Sequence, residues 1–210
     1  MSQKVEIILA SGSPRRRELL AREGVQFSVQ VADVDETLEP DLLRDANEAA
    51  KKLAERKAGA VVQQVLGDPE YVGAAAIIGA DTMVVAGGKI YGKPANEEDA
   101  CRMLAELSGR THQVITGVSV WMLSAPPSKE VSLGFRTFTE TSSVTFRQLS
   151  EGEIAEYVAG GEPMDKAGAY AIQGGARAFV ERIDGDFDNI VGLPVGRLMD
   201  EFSEIFEAAK

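Results

Sequence analysis

The stretch Val5-Glu6-Ile7-Ile8-Leu9-Ala10-Ser11-Gly12-Ser13-Pro14-Arg15-Arg16-Arg17 decides how the chain is read. Residues 5–10 form an apolar run ending in small side chains, the mark of a buried strand. The run breaks at Ser11-Gly12, and a helix is predicted from Pro14 to about Glu23. Ser13 suits the N-cap, Pro14 the first helical position and Gly24 the stop. A strand that ends in small hydroxylated residues and enters a helix leaves backbone N–H groups unpaired. With the helix dipole and two hydroxyls, those donors make an anion site. Arginine forks add bidentate contacts to phosphate oxygens. Three positive charges at a helix N-terminus oppose its dipole, so something negative is expected there. The plainer alternative is a capped helix whose arginines lie on a solvated face.

Outward from this turn, residues 27–32 read as a second strand, followed by the acidic loop Asp33-Val34-Asp35-Glu36-Thr37. Asp45 or Asn47 opens a helix to about Leu66, with alanines, leucine and valine recurring at helical spacing. Residues 74–80 and 83–86 read as two strands on either side of Asp81-Thr82, and Gly87-Gly88 as a turn. Asn96 caps a helix to about Leu107 with three acidic residues in its first turn. Residues 113–123 and 130–148 are the arms of a long hairpin around Ser-Ala-Pro-Pro-Ser. Ser150 and Glu153 form the capping box of a short helix. A Gly/Ala-rich stretch at 160–175, a strand at 178–183 and a last helix at about 194–208 complete the chain. Alternating strands and helices followed by mainly antiparallel strands indicate an α/β or α+β fold with a mixed sheet. There is no internal repeat or separating linker, so one domain over residues 1–210 is expected.

Composition narrows the function. The 210 residues carry 22 Lys and Arg against 33 Asp and Glu, a net charge of −11. That balance argues against nucleic acid or an anionic membrane as partner, either of which needs clustered positive charge. It also makes the local basic run more informative. No apolar run reaches the roughly 18 residues of a membrane span. The opening residues hold too short an apolar stretch for a signal peptide, so the cytoplasm is the expected compartment. One cysteine, Cys101, leaves no internal disulfide or multi-cysteine metal site. One histidine, His112, leaves no multi-histidine site. A metal would therefore sit on oxygen ligands, which favours Mg²⁺ or Mn²⁺.

Several side chains invite chemistry. Asp81 follows an apolar strand, where a charge is costly without partners and where sites gather in α/β sheets. It could hold a divalent ion or take a proton from water, or simply cap its own turn. Glu36 lies in an acidic loop able to approach the same strand end, whereas Asp33, Asp35 and Glu39 read as solvated loop. Lys57 sits on a helix and Lys93 in the loop Tyr91-Gly92-Lys93-Pro94; singly, each reads as surface. Lys166 and Gln173 belong to a long irregular segment of the kind that carries function. The carboxamide of Gln173 could read a base edge. His112 reads as structural, Cys101 as core, Gly87-Gly88-Lys89 as a hairpin turn rather than a phosphate loop, and Trp121 and Phe135 as packed along the hairpin.

Taken in order, LASGSPRRRELL (9–20), DVDET (33–37), LAERKA (53–58), IIGADTMV (77–84), YGKP (91–94), LSGRTHQVITGV (107–118), GEPMDKAGAYAIQG (161–174) and VGLP (191–194) resemble the Maf family, across nearly the whole chain. That resemblance implies an elongated two-lobed α/β structure with a central cleft, like that of inosine triphosphate pyrophosphatases, and a homodimer. It implies hydrolysis of a nucleoside triphosphate between its α and β phosphates with a divalent cation. Asp81 matches the family's general base. Arg15, Thr82 and Gln173 match its specificity positions, and Ser11, Arg16, Glu36, Lys57 and Lys93 match other polar positions of its cleft. Asp81-Thr82 together with Gln173 is similar to the branch acting on dTTP and UTP; the 7-methyl-GTP branch usually carries Asp-Gln and a glutamate instead. Arg17 and a longer hairpin at 123–139 depart from compact members without touching these positions. Metal binding is expected on Glu36 first, with Asp81 shared. The rival expectation is a regulator that senses a nucleotide without turning it over and acts through a protein partner.

Overall fold

The computed structural model describes residues 5–127 and 130–209. Its framework is a seven-stranded mixed sheet flanked by helices. Strands β1 (Val5–Leu9), β2 (Ser28–Val29) and β3 (Gly73–Ala86) run parallel. Strands β4 (Lys89–Tyr91), β5 (Thr111–Ala125), β6 (Ser132–Phe146) and β7 (Val180–Asp184) add antiparallel pairings, in the order β2-β1-β3-β5-β6-β7 with β4 also on β3. The expected mixed α/β sheet is therefore present.

The local signals act as read. Ser13 caps α1 (Pro14–Arg22), Asp45 caps α2 (Ala46–Leu66) and Asn96 caps α3 (Glu97–Leu107). Ser150 and Glu153 close a capping box on α4 (Glu151–Ala159). Gly87 and Gly88 both take positive φ, which the two-residue β3–β4 turn requires. Trp121 and Phe135 stack across the hairpin with centroids 4.4 Å apart. Cys101 packs against the core. Ser128 of the expected hairpin loop and the opening Met1–Lys4 lie outside the described residues.

Four elements differ from expectation. The two strands predicted around Asp81-Thr82 are one continuous strand, β3. Its ladder to β5 runs unbroken through Asp81↔Gly117 and Thr82↔Thr116, because both polar side chains find partners without leaving the sheet. Strand β2 is only two residues long, since its partner β1 stops at Leu9 and Ala10 turns to bond Ile78. The last helix is two, α6 (Val195–Glu201) and α7 (Ser203–Ala208), separated by Phe202, which leaves helical dihedrals and buries its ring beside Phe138. A further short helix, α5 (Phe187–Val191), is capped by the side chain of Asp186.

The sheet divides the core into two layers. On one face α2 packs against Ala75, Ile77 and Met83 of β3. On the other, α1, α3 and the helices from α4 onward pack against Ala76, Ile78, Ala80 and Val84. This is the period-2 alternation of a strand. Two glycines let α2 lie directly on the sheet. A Cβ on Gly79 would come 2.4 Å from Ala54 O, and one on Gly117 would come 2.4 Å from the Ala50 carbonyl carbon. The motifs around these glycines thus set the height of α2, and with it the position of Lys57.

Candidate active site

Strand β3 runs past the end of β1. The last parallel pair is Leu9↔Ile78 and the β4 pairing begins only at Val84, so between them the β1-side edge of β3 opens into a cleft of about 470 Å³. All nine site residues singled out in the sequence line it: Ser11, Arg15, Arg16, Glu36, Lys57, Asp81, Thr82, Lys93 and Gln173. Lys166 lines it too. Asp81 is thus mid-strand, not at a strand end; what ends beside it is its neighbour β1.

Alternation splits Asp81 and Thr82 between the two faces. On the α2 side, Lys57 Nζ donates to Asp81 Oδ1 at 2.6 Å and pairs with Glu36 Oε1 at 2.8 Å. Among the described residues no hydrogen bond engages Asp81 Oδ2. The hydrogen bond from Lys57 holds the Glu36 carboxyl below its ordinary range against the opposing effect of burial, with help from the charges of Lys57, Lys93 and Arg16. The two carboxylates thus meet at one cation.

On the other side Arg16 acts as a clasp. Its Nε donates to Gly192 O at 2.7 Å, Nη1 to Ser11 Oγ at 3.3 Å and Nη2 to Thr82 Oγ1 at 3.1 Å. One guanidinium so joins the β1–α1 turn, strand β3 and the loop after α5. Burial lowers its pKa, an effect opposed by the charges of Asp81 and Glu36 and reinforced by Arg15. Ser11 is buried, and its hydroxyl also accepts from Ser13 N at 3.3 Å. Arg15 makes no ion pair among the described residues and lines the cleft beside this turn. Gln173 and Lys93 are exposed at the rim, whereas Lys166 is tied to Asp165 and to Glu162 O. Val84, Val114, Tyr170, Ile172, Ile190 and Val191 wall this half with apolar surface.

Two residues escaped the sequence reading. Thr116 and Asn189 are fully buried, and the Thr116 hydroxyl lies 2.9 Å from Thr82 Oγ1 and donates to Asn189 O at 2.9 Å. A polar side chain on the buried face of an apolar strand was the available signal for Thr116. His112 is structural as expected: it is buried, with Nε2 2.8 Å from Tyr170 Oη, and burial lowers its pKa to about 4.

A cleft with a charged half, an apolar half and a helix N-terminus between them suits a phosphorylated ligand carrying a flat apolar group. Comparison with known proteins agrees with that class. Residues 6–205 match the family described as Maf-like protein, and the chain belongs to it. It is 46% identical to the dTTP/UTP pyrophosphatase of Desulforamulus reducens, over 92% of this chain and 93% of that protein. It is 48% identical to the dTTP/UTP pyrophosphatase of Pelotomaculum thermopropionicum, over 93% and 94%. A far more distant likeness, 15% identical with a TM-score of 0.43, covers 95% of this chain and 98% of the Staphylococcus aureus Ham1 protein.

Proposed function

We propose that the chain hydrolyses dTTP and UTP, or closely related pyrimidine nucleotides, to the monophosphate and pyrophosphate. The observation that carries this reading is the juxtaposition of Asp81, with one carboxylate oxygen held by Lys57 and the other uncommitted, with the basic turn at Ser11–Arg16. Relatives named as dTTP/UTP pyrophosphatases over nine-tenths of the chain support it and favour an enzyme over a nucleotide-sensing regulator.

In this reading the α1 N-terminus, Arg15 and Lys93 bind the triphosphate and offset charge on the departing pyrophosphate. Arg16 holds the turn in shape. Lys57, bonded to Asp81 Oδ1, fixes the carboxylate's plane. Asp81 Oδ2 takes a proton from water as the water oxygen bonds to the α phosphorus and the α–β bridging bond breaks. Thr82 and Gln173 meet the base in the apolar half. Glu36 and Asp81 suit a divalent cation of the Mg²⁺ or Mn²⁺ type. Among the described residues no group of three or more His, Cys, Asp or Glu could hold a metal, and two carboxylates completed by phosphate oxygens and water are what Mg²⁺ ordinarily uses. Such an ion would supply charge neutralisation on the phosphates.

The same reading includes one domain, supported by the family match over residues 6–205, and a homodimer. Exposed Val131, Leu133 and Phe135 on and beside β6 supply apolar surface for the latter. It includes a cytoplasmic setting without nucleic acid or membrane as partner. The net charge of −11 supports the first exclusion, and among the described residues no helix is long and apolar enough to cross a membrane.

The test is a panel of ribo- and deoxyribonucleoside triphosphates with Mg²⁺ and with Mn²⁺, assayed separately for pyrophosphate and orthophosphate. Pyrophosphate from UTP and dTTP is expected. Asp81→Asn should lower turnover by about 10²–10⁴-fold with nucleotide binding retained. Orthophosphate as sole product would reassign the broken bond, and binding without turnover would favour the regulator.

A further inference from the structure

The Thr82 hydroxyl has one hydrogen and two lone pairs to spend. Thr116 lies opposite it in the β3–β5 register, and its own single hydrogen is committed to the Asn189 carbonyl, which can only accept. In the 2.9 Å contact between the two threonines, Thr82 is therefore the donor. Arg16 Nη2 donates into one of the Thr82 lone pairs. What Thr82 has left for the cleft is one lone pair and no hydrogen.

The direction of this relay is set from its buried end. Asn189 is fully buried, and its Nδ2 donates to Val114 O at 3.0 Å and to Ser142 Oγ at 2.9 Å. These bonds fix the Asn189 side chain, while its backbone carbonyl accepts from Thr116. From Arg16 through Thr82 and Thr116 to Asn189 every hydrogen points inward.

We propose that Thr116 is a positioning residue for base selection, holding Thr82 as an acceptor-only group that favours a base edge with a ring N–H. This rests on the reading of the apolar half as the base pocket. Uracil and thymine present N3–H, a donor, whereas cytosine presents a bare N3 that needs a donor opposite. Gln173 alone cannot make that distinction, because a carboxamide can turn either its oxygen or its nitrogen to the base. Thr82 cannot turn. With its hydrogen committed to Thr116, it meets N3–H with a lone pair and meets cytosine N3 with a second lone pair.

The experiment compares kcat/KM for UTP and CTP, and dissociation constants for their α,β-methylene analogues, in wild type, Thr116→Val, Thr116→Ser and Thr82→Val. Wild type should favour UTP. Thr116→Val keeps the branched shape and frees the Thr82 hydrogen, so the UTP-to-CTP ratio should fall about tenfold in both kcat/KM and binding, an effect of one hydrogen bond. Thr116→Ser should restore it. Thr82→Val, which needs no buried change at Thr116, should also collapse the ratio. An unchanged ratio in folded Thr116→Val, even with both rates lowered alike, would overturn the proposal, as would an unchanged ratio in Thr82→Val. Wild type turning over UTP and CTP equally would overturn it while leaving the enzyme intact. Pyrophosphate from neither nucleotide would instead bring down the enzymatic reading.

Discussion

Lys57 Nζ lies 2.6 Å from Asp81 Oδ1, although the two residues are 24 positions apart and sit on different elements, helix α2 and strand β3. Helix α2 brings the lysine there because Gly79 and Gly117 remove the side chains that would hold it off the sheet. Spacing on the helix, close approach to the sheet and the chemistry of the cleft are thus one chain of causes.

Replacing Lys57 by Met removes the cation that bonds both Glu36 and Asp81. Glu36 then loses the hydrogen bond that depresses its pKa, which rises toward the ordinary carboxylate range. The sign follows: with Lys57 present Glu36 stays ionised until pH falls through its lowered pKa, and without Lys57 it binds its proton at higher pH. The acid limb of the kcat/KM profile should move upward, with maximal turnover down about 10²-fold or more. An acid limb that stays in place would show that Lys57 does not govern Glu36.

Gly117→Ala drives a methyl group into the Ala50 carbonyl, with contacts of 2.4 and 2.5 Å to its carbon and oxygen. Backbone cannot yield as a flexible side chain can, so α2 must lift. A loss of roughly 2–4 kcal/mol is expected in urea unfolding. Gly196→Ala is the control. Gly196 is exposed in α6 with nothing within 4 Å of an added Cβ, so that variant should be neutral or up to about 1 kcal/mol more stable.

His112 is the chain's one histidine, so its imidazole gives a single set of NMR signals. Burial lowers its pKa to about 4, and its ring packs edge-on to Phe146 and Tyr170. The unfolded chain takes up the proton first, near pH 6.5. The neutral ring's contribution is therefore whole above pH 6.5 and falls away as pH drops toward 4, by something on the order of 3 kcal/mol. A titration midpoint between 6 and 7 in the folded protein would contradict this.

What could be read from sequence was whatever is decided locally. Ser13-Pro14, Asn96 and the Ser150–Glu153 pair start helices by bonds within one turn, and those starts hold. The nine site residues also converge on one cleft, because the anion turn and the acidic doublet reflect chemistry that a fold must bring together. Asp81-Thr82 misled because two polar residues in an apolar run look like a break. Their partners, Lys57 and Thr116, come from elements far along the chain, and only those partners let the strand continue. Thr116 offered only a polar side chain within an apolar strand and Asn189 no signal, for the same reason: a buried hydroxyl and a buried amide acquire meaning only from what they face. The break at Phe202 likewise depends on Phe138, which no helical pattern reports.

The unbroken run of β3 through Asp81 and Thr82 has an evolutionary corollary. One peptide bond separates two side chains that answer to different layers of the molecule, one to α2 and the other to β5 and the α5 loop. Among the described residues no hydrogen bond joins the Lys57–Asp81–Glu36 group to the Thr82–Thr116–Asn189 group, and only the charge of Arg16 reaches both. Descendants of such a chain are free to drift toward new ligands on one side of the sheet while inheriting the other side intact.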